Sequence, residues 1–567
     1  MSRLAVSPFD RQRYLGSVCT VRPASVEVNL PFASHPGSTH VAGYLLQRGQ
    51  VGEFVIIEGE EHAVLGRLIE TRLQERDRLS VEPTHERKDR PNPLGVVQLL
   101  TAVDLESGLP LRGVPVSPRI GQHVFSAHPL LVKQVVEAGT TTEAKRINLA
   151  TFPHARDTLV SLSPGQLLGR HCAVLGATGG GKSWTLALLV EEISRLGGKA
   201  ILFDATGEFQ TQVGPGITHV HLGGRKENAN DPRRFLSFPY WELTESDLFV
   251  LLRPSPGVQA PKLKEALRSL KIAHLEPGLA VNGLIRKVGI PRQHFEAACV
   301  QHGLALRRPG TYFDVEQLSN QIWEECVWPS GFNAAQAGNW GGANANEQSA
   351  CSTLMSRIES ELASPNLECL FAPAGLDHLP DVVEAFLADP TERVLRVSLE
   401  FLSFEHNARE VVANAVGRYL LGLARQGRFL AMPVVTLLDE AHQFLDKSVG
   451  DEFSKTDLDA FGLIAKEGRK YSLTCVLATQ RPRDIPEDVL SQMGMFIVHR
   501  LINERDRNVV EKACGDLDAS AASFLPTLGQ GEALVVGANS PMPLPVAINR
   551  PMRPPSSRSA DYDGLWG

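Results

Sequence analysis

Along the first quarter of the chain, apolar and polar residues alternate in short runs broken by Gly and Pro. Val18-Cys-Thr-Val, Ser25-Val-Glu-Val-Asn-Leu and Val51-Gly-Glu-Phe-Val-Ile-Ile are followed by His62-Ala-Val-Leu-Gly-Arg-Leu-Ile-Glu and Gly95-Val-Val-Gln-Leu-Leu-Thr-Ala-Val. A period of two over four to eight residues predicts strands. Several such strands at close spacing predict a small β-barrel over residues 1–146 rather than βαβ units. The charged stretch His85 to Pro93 reads as a solvated loop between them.

The pattern then changes to uninterrupted apolar runs. Ala173-Val-Leu, Lys199-Ala-Ile-Leu-Phe-Asp204, Val434-Val-Thr-Leu-Leu-Asp439 and Leu473-Thr-Cys-Val-Leu-Ala-Thr479 have no polar face, and Met495-Phe-Ile-Val and Gly531-Glu-Ala-Leu-Val-Val resemble them. Such runs predict the buried strands of an α/β sheet, and the stretch Leu186 to Ile193 predicts a helix after the first. Far more chain separates the second and third runs than a few βα units require. This places a mainly helical insertion at 232–389, with helices over Leu263–Leu275 and Ser352–Ala363, and splits the core into 147–231 and 390–540. Trp323, Trp328, Phe332 and Trp340 in the insertion read as core packing, and His294, Cys299 and His302 lack a fourth ligand for a metal. The Pro-, Ser- and Arg-rich stretch 541–567 reads as an extended tail.

Composition narrows the partners. The 567-residue chain is long enough for two to four domains. Its net charge of −7 provides no global attraction to nucleic acid or acidic membranes, so any DNA contact has to come from a local basic surface. The eight cysteines are scattered without a C-x-x-C pair, which fits reduced thiols. Neither a signal peptide nor an apolar run of spanning length is visible, so the expectation is a soluble cytoplasmic protein with no membrane segment.

Chemistry concentrates at Gly176-Ala177-Thr178-Gly179-Gly180-Gly181-Lys182-Ser183, between a predicted strand and a predicted helix. The glycines let backbone N–H groups close around phosphates, and the helix N-terminus adds partial positive charge. Lys182 supplies a full charge and Ser183 a hydroxyl for Mg²⁺, so ATP and Mg²⁺ are the expected ligands. Trp184 follows directly. Asp204 and Glu208 sit at the end of the next buried strand, where α/β sheets bind ligands, and join the nucleotide-binding set. Asp439 ends a later strand and is assigned to the metal, leaving the adjacent Glu440 to polarise the attacking water. Gln480 ends another strand and is uncharged, suited to contact the γ-phosphate or water.

Gly-Ala-Thr-Gly-Gly-Gly-Lys-Ser, Asp-Ala-Thr-Gly-Glu-Phe, Leu-Leu-Asp-Glu-Ala-His, and Glu-Gly-Arg-Lys-Tyr followed by Ala-Thr-Gln-Arg-Pro closely resemble the HerA family. This is the FtsK–HerA branch of RecA-like DNA-translocating ATPases. The resemblance extends to the N-terminal strands and to Gly529-Gln-Gly-Glu-Ala, and is weakest in the insertion and tail. It implies a RecA-like core behind a small barrel and a homo-hexamer threading double-stranded DNA through a central pore. It also implies a partner docked on the barrel, either a NurA-like nuclease in DNA end processing or a nuclease or sirtuin-like effector in antiphage defence. An arginine reaching across the subunit interface is expected to complete the ATP site, with Arg469 in the matching motif and Arg170 before the first core strand as candidates. Lys447 and Lys455, just past Glu440, are candidates for DNA phosphates. A ring that only gates a partner enzyme, and an FtsK/TraD-like DNA pump, are the competing readings.

Overall fold

The computed structural model describes residues 4–31, 33, 39–41, 44–46, 48–73, 93–111, 113–138, 145–228, 230–331, 336–373, 375–403, 405–445, 448–450, 455–517 and 519–556. Lys447, Phe332, the loop His85–Asn92 and residues beyond 556 lie outside the described residues. The chain divides into two compact units, residues 1–196 with 476–554, and 197–475 with 555–567.

The first unit opens with six antiparallel strands: β1 (Tyr14–Val21), β2 (Ser25–Asn29), β3 (Phe54–Ile57), β4 (His62–Arg72), β5 (Leu94–Asp104) and β6 (His123–Ser126). They run in the order β2-β1-β6-β3-β4-β5, and β5 pairs back onto β2, with Asn29 opposite Leu94 and Ser25 opposite Gln98. The sheet is therefore a closed barrel, as the period-two pattern predicts. Its alternate residues fill one core, including Leu15, Val26, Val28, Val55, Ile57, Leu68, Val97 and Val124.

The apolar runs form the α/β part. Its strands are β7 (Ile147–Phe152), β8 (Ala155–Leu162), β9 (His171–Leu175), β10 (Lys199–Asp204), β11 (Ile217–Leu222), β12 (Phe235–Ser237), β13 (Asp377–His378), β14 (Val394–Ser398), β15 (Val434–Leu438), β16 (Leu473–Thr479), β17 (Met493–His499), β18 (Glu532–Gly537) and β19 (Leu544–Ile548). In the first unit the order is β8-β7-β19-β18-β17-β9-β16, with β9 parallel to both β16 and β17. In the second unit the order is β15-β10-β14-β11-β12-β13, all parallel. Every residue of β9, β10, β14 and β15 is buried, which is why these stretches carry no alternation.

Two expectations are corrected. Residues 544–548 do not belong to a free extended tail: β19 pairs antiparallel with β18 and β7, and buries Leu544 and Val546. The alternation is short and interrupted by Pro545, so composition outweighed periodicity there. In the insertion, Trp323 and Trp328 are 48% and 43% exposed, so the aromatic density is not all core. Trp340 does pack, edge-on to Phe295 at 5.5 Å. The insertion is mainly helical, and the expected helices are present as Gln259–Leu275 and Ala345–Leu362. Among the described residues no helix is long and apolar enough to cross a membrane, and no cluster of side chains could hold a metal.

Candidate active site

The glycine-rich loop leaves the carboxyl end of β9 and enters helix α1 (Lys182–Arg195). Gly181, at the N-cap, has φ +119°, a conformation L side chains rarely adopt. Gly176 is needed for a different reason: a Cβ there would stand 2.6 Å from the Cβ of His499. Inside the loop, Gly180 N–H donates to the Ala177 carbonyl at 3.1 Å, and the buried Lys182 ammonium donates to the same carbonyl at 3.2 Å. Thr178 and Gly179 stay exposed at the tip, Ser183 is half-buried on the first helical turn, and Trp184 is partly exposed with the Arg550 guanidinium 5.4 Å over its ring. This concave loop of backbone N–H groups with an enclosed ammonium fits a nucleotide's phosphates.

Register brings Gln480 to this loop. Leu175 pairs with Thr479 in the parallel β9–β16 ladder, so both strands end at one level and the following residues meet. The Thr178 hydroxyl donates to the Gln480 side-chain oxygen at 2.5 Å.

His499, which sequence reasoning did not single out, anchors the loop from the other side. It ends β17, and its Nδ1 lies 2.9 Å from the Glu532 carbonyl, which can only accept, so the proton sits on Nδ1. Its Nε2 then accepts from the Thr185 hydroxyl of α1 at 2.8 Å. Burial, reinforced by the Lys182 charge, pushes its pKa down to about 4. Loop and anchor are further joined where Ala177 N–H donates to the Arg500 carbonyl at 2.9 Å and Gly531 N–H to the Gly180 carbonyl at 3.2 Å. The signal was available: a lone imidazole closes an otherwise apolar strand.

The second unit carries the acids. Strand β10 is parallel to β15, and Asp439 N–H donates to the Phe203 carbonyl at 3.1 Å, so Asp204 and Asp439 stand at the same sheet end. Their fates differ. Asp204 is 0% exposed and accepts from Gly207 N–H at 2.8 Å, Phe209 N–H at 3.0 Å and the Arg396 guanidinium at 2.7 Å. Its oxygens hold the 205–209 turn and the buried Arg396 of β14. Glu208 is half-buried at the start of the short turn that follows.

Asp439 is 4% exposed, with the Thr206 hydroxyl approaching it at 3.5 Å. Glu440 has φ +48°, left-handed for a residue with a full side chain, and its carboxylate lies 3.3 Å from His442 Nδ1. Such a conformation costs about 1–3 kcal/mol and persists where the surroundings impose it.

The arginine candidates are both exposed. Arg469 lies in the turn Gly468–Tyr471 after helix α2 (Ala460–Glu467), and among the described residues no carboxylate comes within 4 Å of it. Arg170 lays its aliphatic stem over Gly494, where a Cβ would come within 2.3 Å of the arginine Cβ. Lys455 is exposed on a hairpin pairing Ser448–Gly450 with Lys455–Asp457.

Two family models match this chain, "Helicase HerA, central domain" over residues 147–288 and "Helicase HerA-like C-terminal" over 431–562. The first spans the glycine-rich loop and Asp204, and the second spans Asp439, Glu440, Arg469, Gln480 and His499. The chain belongs to the HerA family. Similarity extends well beyond the matched segments. The DNA double-strand break repair helicase HerA of Sulfolobus acidocaldarius is 22% identical over 452 residues, 78% of this chain and 74% of that protein. The protein of the same name from Pyrococcus furiosus is 24% identical over 465 residues, 80% of this chain and 77% of that one. Among solved structures, VirB4 of Thermoanaerobacter pseudethanolicus covers 76% of this HerA-family chain and 100% of its own, at 14% identity and a TM-score of 0.47.

Proposed function

We propose that this HerA-family ATPase is a motor that couples ATP hydrolysis to movement along double-stranded DNA. The observation that carries the reading is the loop at 176–183, with its enclosed Lys182 and its direct bond to the strand-end amide of Gln480. A ring motor needs such a link, because an uncharged group bonded to the phosphate loop can pass its state to a neighbouring strand without titrating.

In this reading the loop N–H groups and Lys182 bind the phosphates of ATP, and Ser183 and Asp439 hold Mg²⁺. When bound, Mg²⁺ neutralises charge on the β- and γ-phosphates. Glu440 takes a proton from the attacking water, Gln480 orients that water, and Arg469 or Arg170 of a neighbouring subunit faces the γ-phosphate. Lys455, and Lys447 with it, contact DNA phosphates. The chain assembles as a homo-hexamer around the duplex, in the cytoplasm. A NurA-like nuclease or a sirtuin-like effector docks on the barrel, for DNA end processing or antiphage defence.

The test is nucleotide chemistry in two variants. Lys182→Ala loses tight ATP binding. Glu440→Gln keeps ATP binding and slows hydrolysis about 10²–10⁴-fold, the usual value of a positioned general base. DNA-stimulated turnover of the wild type is measured alongside. Near wild-type turnover in Glu440→Gln removes Glu440 from catalysis, and an ATPase indifferent to duplex DNA removes the motor.

A further inference from the structure

The insertion contains a concave cavity of about 510 Å³ that no part of the ATPase reading uses. Its wall is formed by the helices Glu245–Leu252, Gln259–Leu275, Gln293–Gln301 and Gly303–Arg307. Five cations line it, Lys264, Arg268, Lys271, Arg307 and Arg308, against one carboxylate, Glu245.

The cations are arranged rather than scattered. Lys264, Arg268 and Lys271 are spaced four and three residues apart on one helix and so share a face. Arg307 and Arg308 approach from the end of Gly303–Arg307. Among the described residues, Lys264 is the one of the five paired with a carboxylate, Glu245 at 2.9 Å. Among the described residues no carboxylate lies within 4 Å of Lys271, Arg307 or Arg308. Burial holds the Lys271 ammonium below its ordinary pKa, with Glu245 opposing, so this lysine is kept in the wall at an electrostatic cost. In a chain of net charge −7, five cations on one concave surface are a local reversal of sign that suits an anionic ligand.

The remaining lining includes buried apolar groups, Leu248, Leu267 and Cys299. The cavity thus has an apolar part beside a cationic part and has the volume of a small-ligand site. A cavity of this volume takes a compact anion rather than a length of duplex. We propose that this cavity binds a compact nucleoside polyphosphate, its phosphates on Lys271, Arg307 and Arg308 and its base against Leu248 and Leu267. It is a site separate from the glycine-rich loop.

The test uses the full chain carrying Lys182→Ala, so that the loop no longer binds tightly, with ATP as the probe in titration calorimetry. Wild-type turnover reports on the loop independently of this result. One residual site per chain is expected. Lys271→Gln with Arg307→Gln weakens it at least about tenfold, and the charge-preserving pair Lys271→Arg with Arg307→Lys retains it. Arg308→Gln, at an exposed position, gives the same direction should the double change unfold the chain. The proposal is overturned by no residual binding, by residual binding indifferent to all three variants, or by variants that weaken a short DNA duplex and leave ATP untouched.

Discussion

Asp204 and Glu440 show how neighbouring acids at strand ends come to different uses. Asp204 faces Arg396, itself 1% exposed, and the pair is enclosed by the sheet. Removing one partner leaves a buried charge alone, which costs about 3–5 kcal/mol. Asp204→Ala is therefore expected to lower unfolding stability by about that amount, and adding Arg396→Leu to restore part of it. Denaturant titration of the three variants checks this, with ATP affinity measured on whatever stays folded. A stable Asp204→Ala chain that binds ATP weakly would place Asp204 at the nucleotide. Glu440, by contrast, is held in a backbone conformation that glycine adopts freely, at a position where glycine has no chemistry to offer.

At the scale of elements, the phosphate loop is fixed less by its own glycines than by the strand ends that flank it. His499 is the central contact, bridging α1 and β18 as a neutral imidazole. The folded pKa of about 4 lies below the ordinary value of about 6.5 for an unfolded histidine. Between these values the unfolded chain binds a proton that the folded chain refuses, so stability falls as pH drops. This group contributes fully above pH 6.5 and loses on the order of 3 kcal/mol as pH falls towards 4. His221, also pushed down to about 4 by burial, titrates in the same window and remains in both proteins compared. The expected result is a shallower acid loss of stability in His499→Gln than in wild type, read from denaturant midpoints between pH 7 and 4.5. Equal slopes would mean that His499 titrates normally.

The loop, the apolar strands and the two long insertion helices were legible because each is encoded within a dozen or so neighbouring residues. The use of Asp204 was not, since Arg396 lies on a strand far along the chain and only the parallel β10–β14 register brings them together. The exposure of Trp323 and Trp328 was equally hidden, because density of aromatics says nothing about which faces are covered. The cationic cavity was half legible: the spacing of Lys264, Arg268 and Lys271 marks a helix face, but Arg307 and Arg308 join it only through packing.

For the whole molecule, charge spreading over the γ-phosphate oxygens calls for a second cation beside Lys182. Lys182 is enclosed by its own loop, while Arg469 is exposed and unpaired by any carboxylate among the described residues. An arginine delivered from a neighbouring subunit can be worth about 10³–10⁵ in rate. Mixing Glu440→Gln with Arg469→Ala under subunit exchange is therefore expected to recover ATPase activity, because some interfaces then pair an intact Glu440 with an intact Arg469. Placing both changes in one chain abolishes the recovery. If exchange is confirmed, Arg469→Ala still assembles and binds ATP, and no mixture recovers, Arg469 is not the shared group. Arg170→Ala tested in the same way decides the other candidate. The closed wall of the N-terminal barrel bears on how any second protein can attach there. β5 pairs back onto β2 through residues 94–98 and meets Pro110–Leu111 at 102–103, so among the described residues each of the six strands has a neighbour on both sides. The short Pro110–Leu111 strand beside β5 adds only two residues, one of them unable to donate. Among the described residues a visiting strand finds little free edge to pair with, so recognition there rests mainly on the shape and chemistry of side chains.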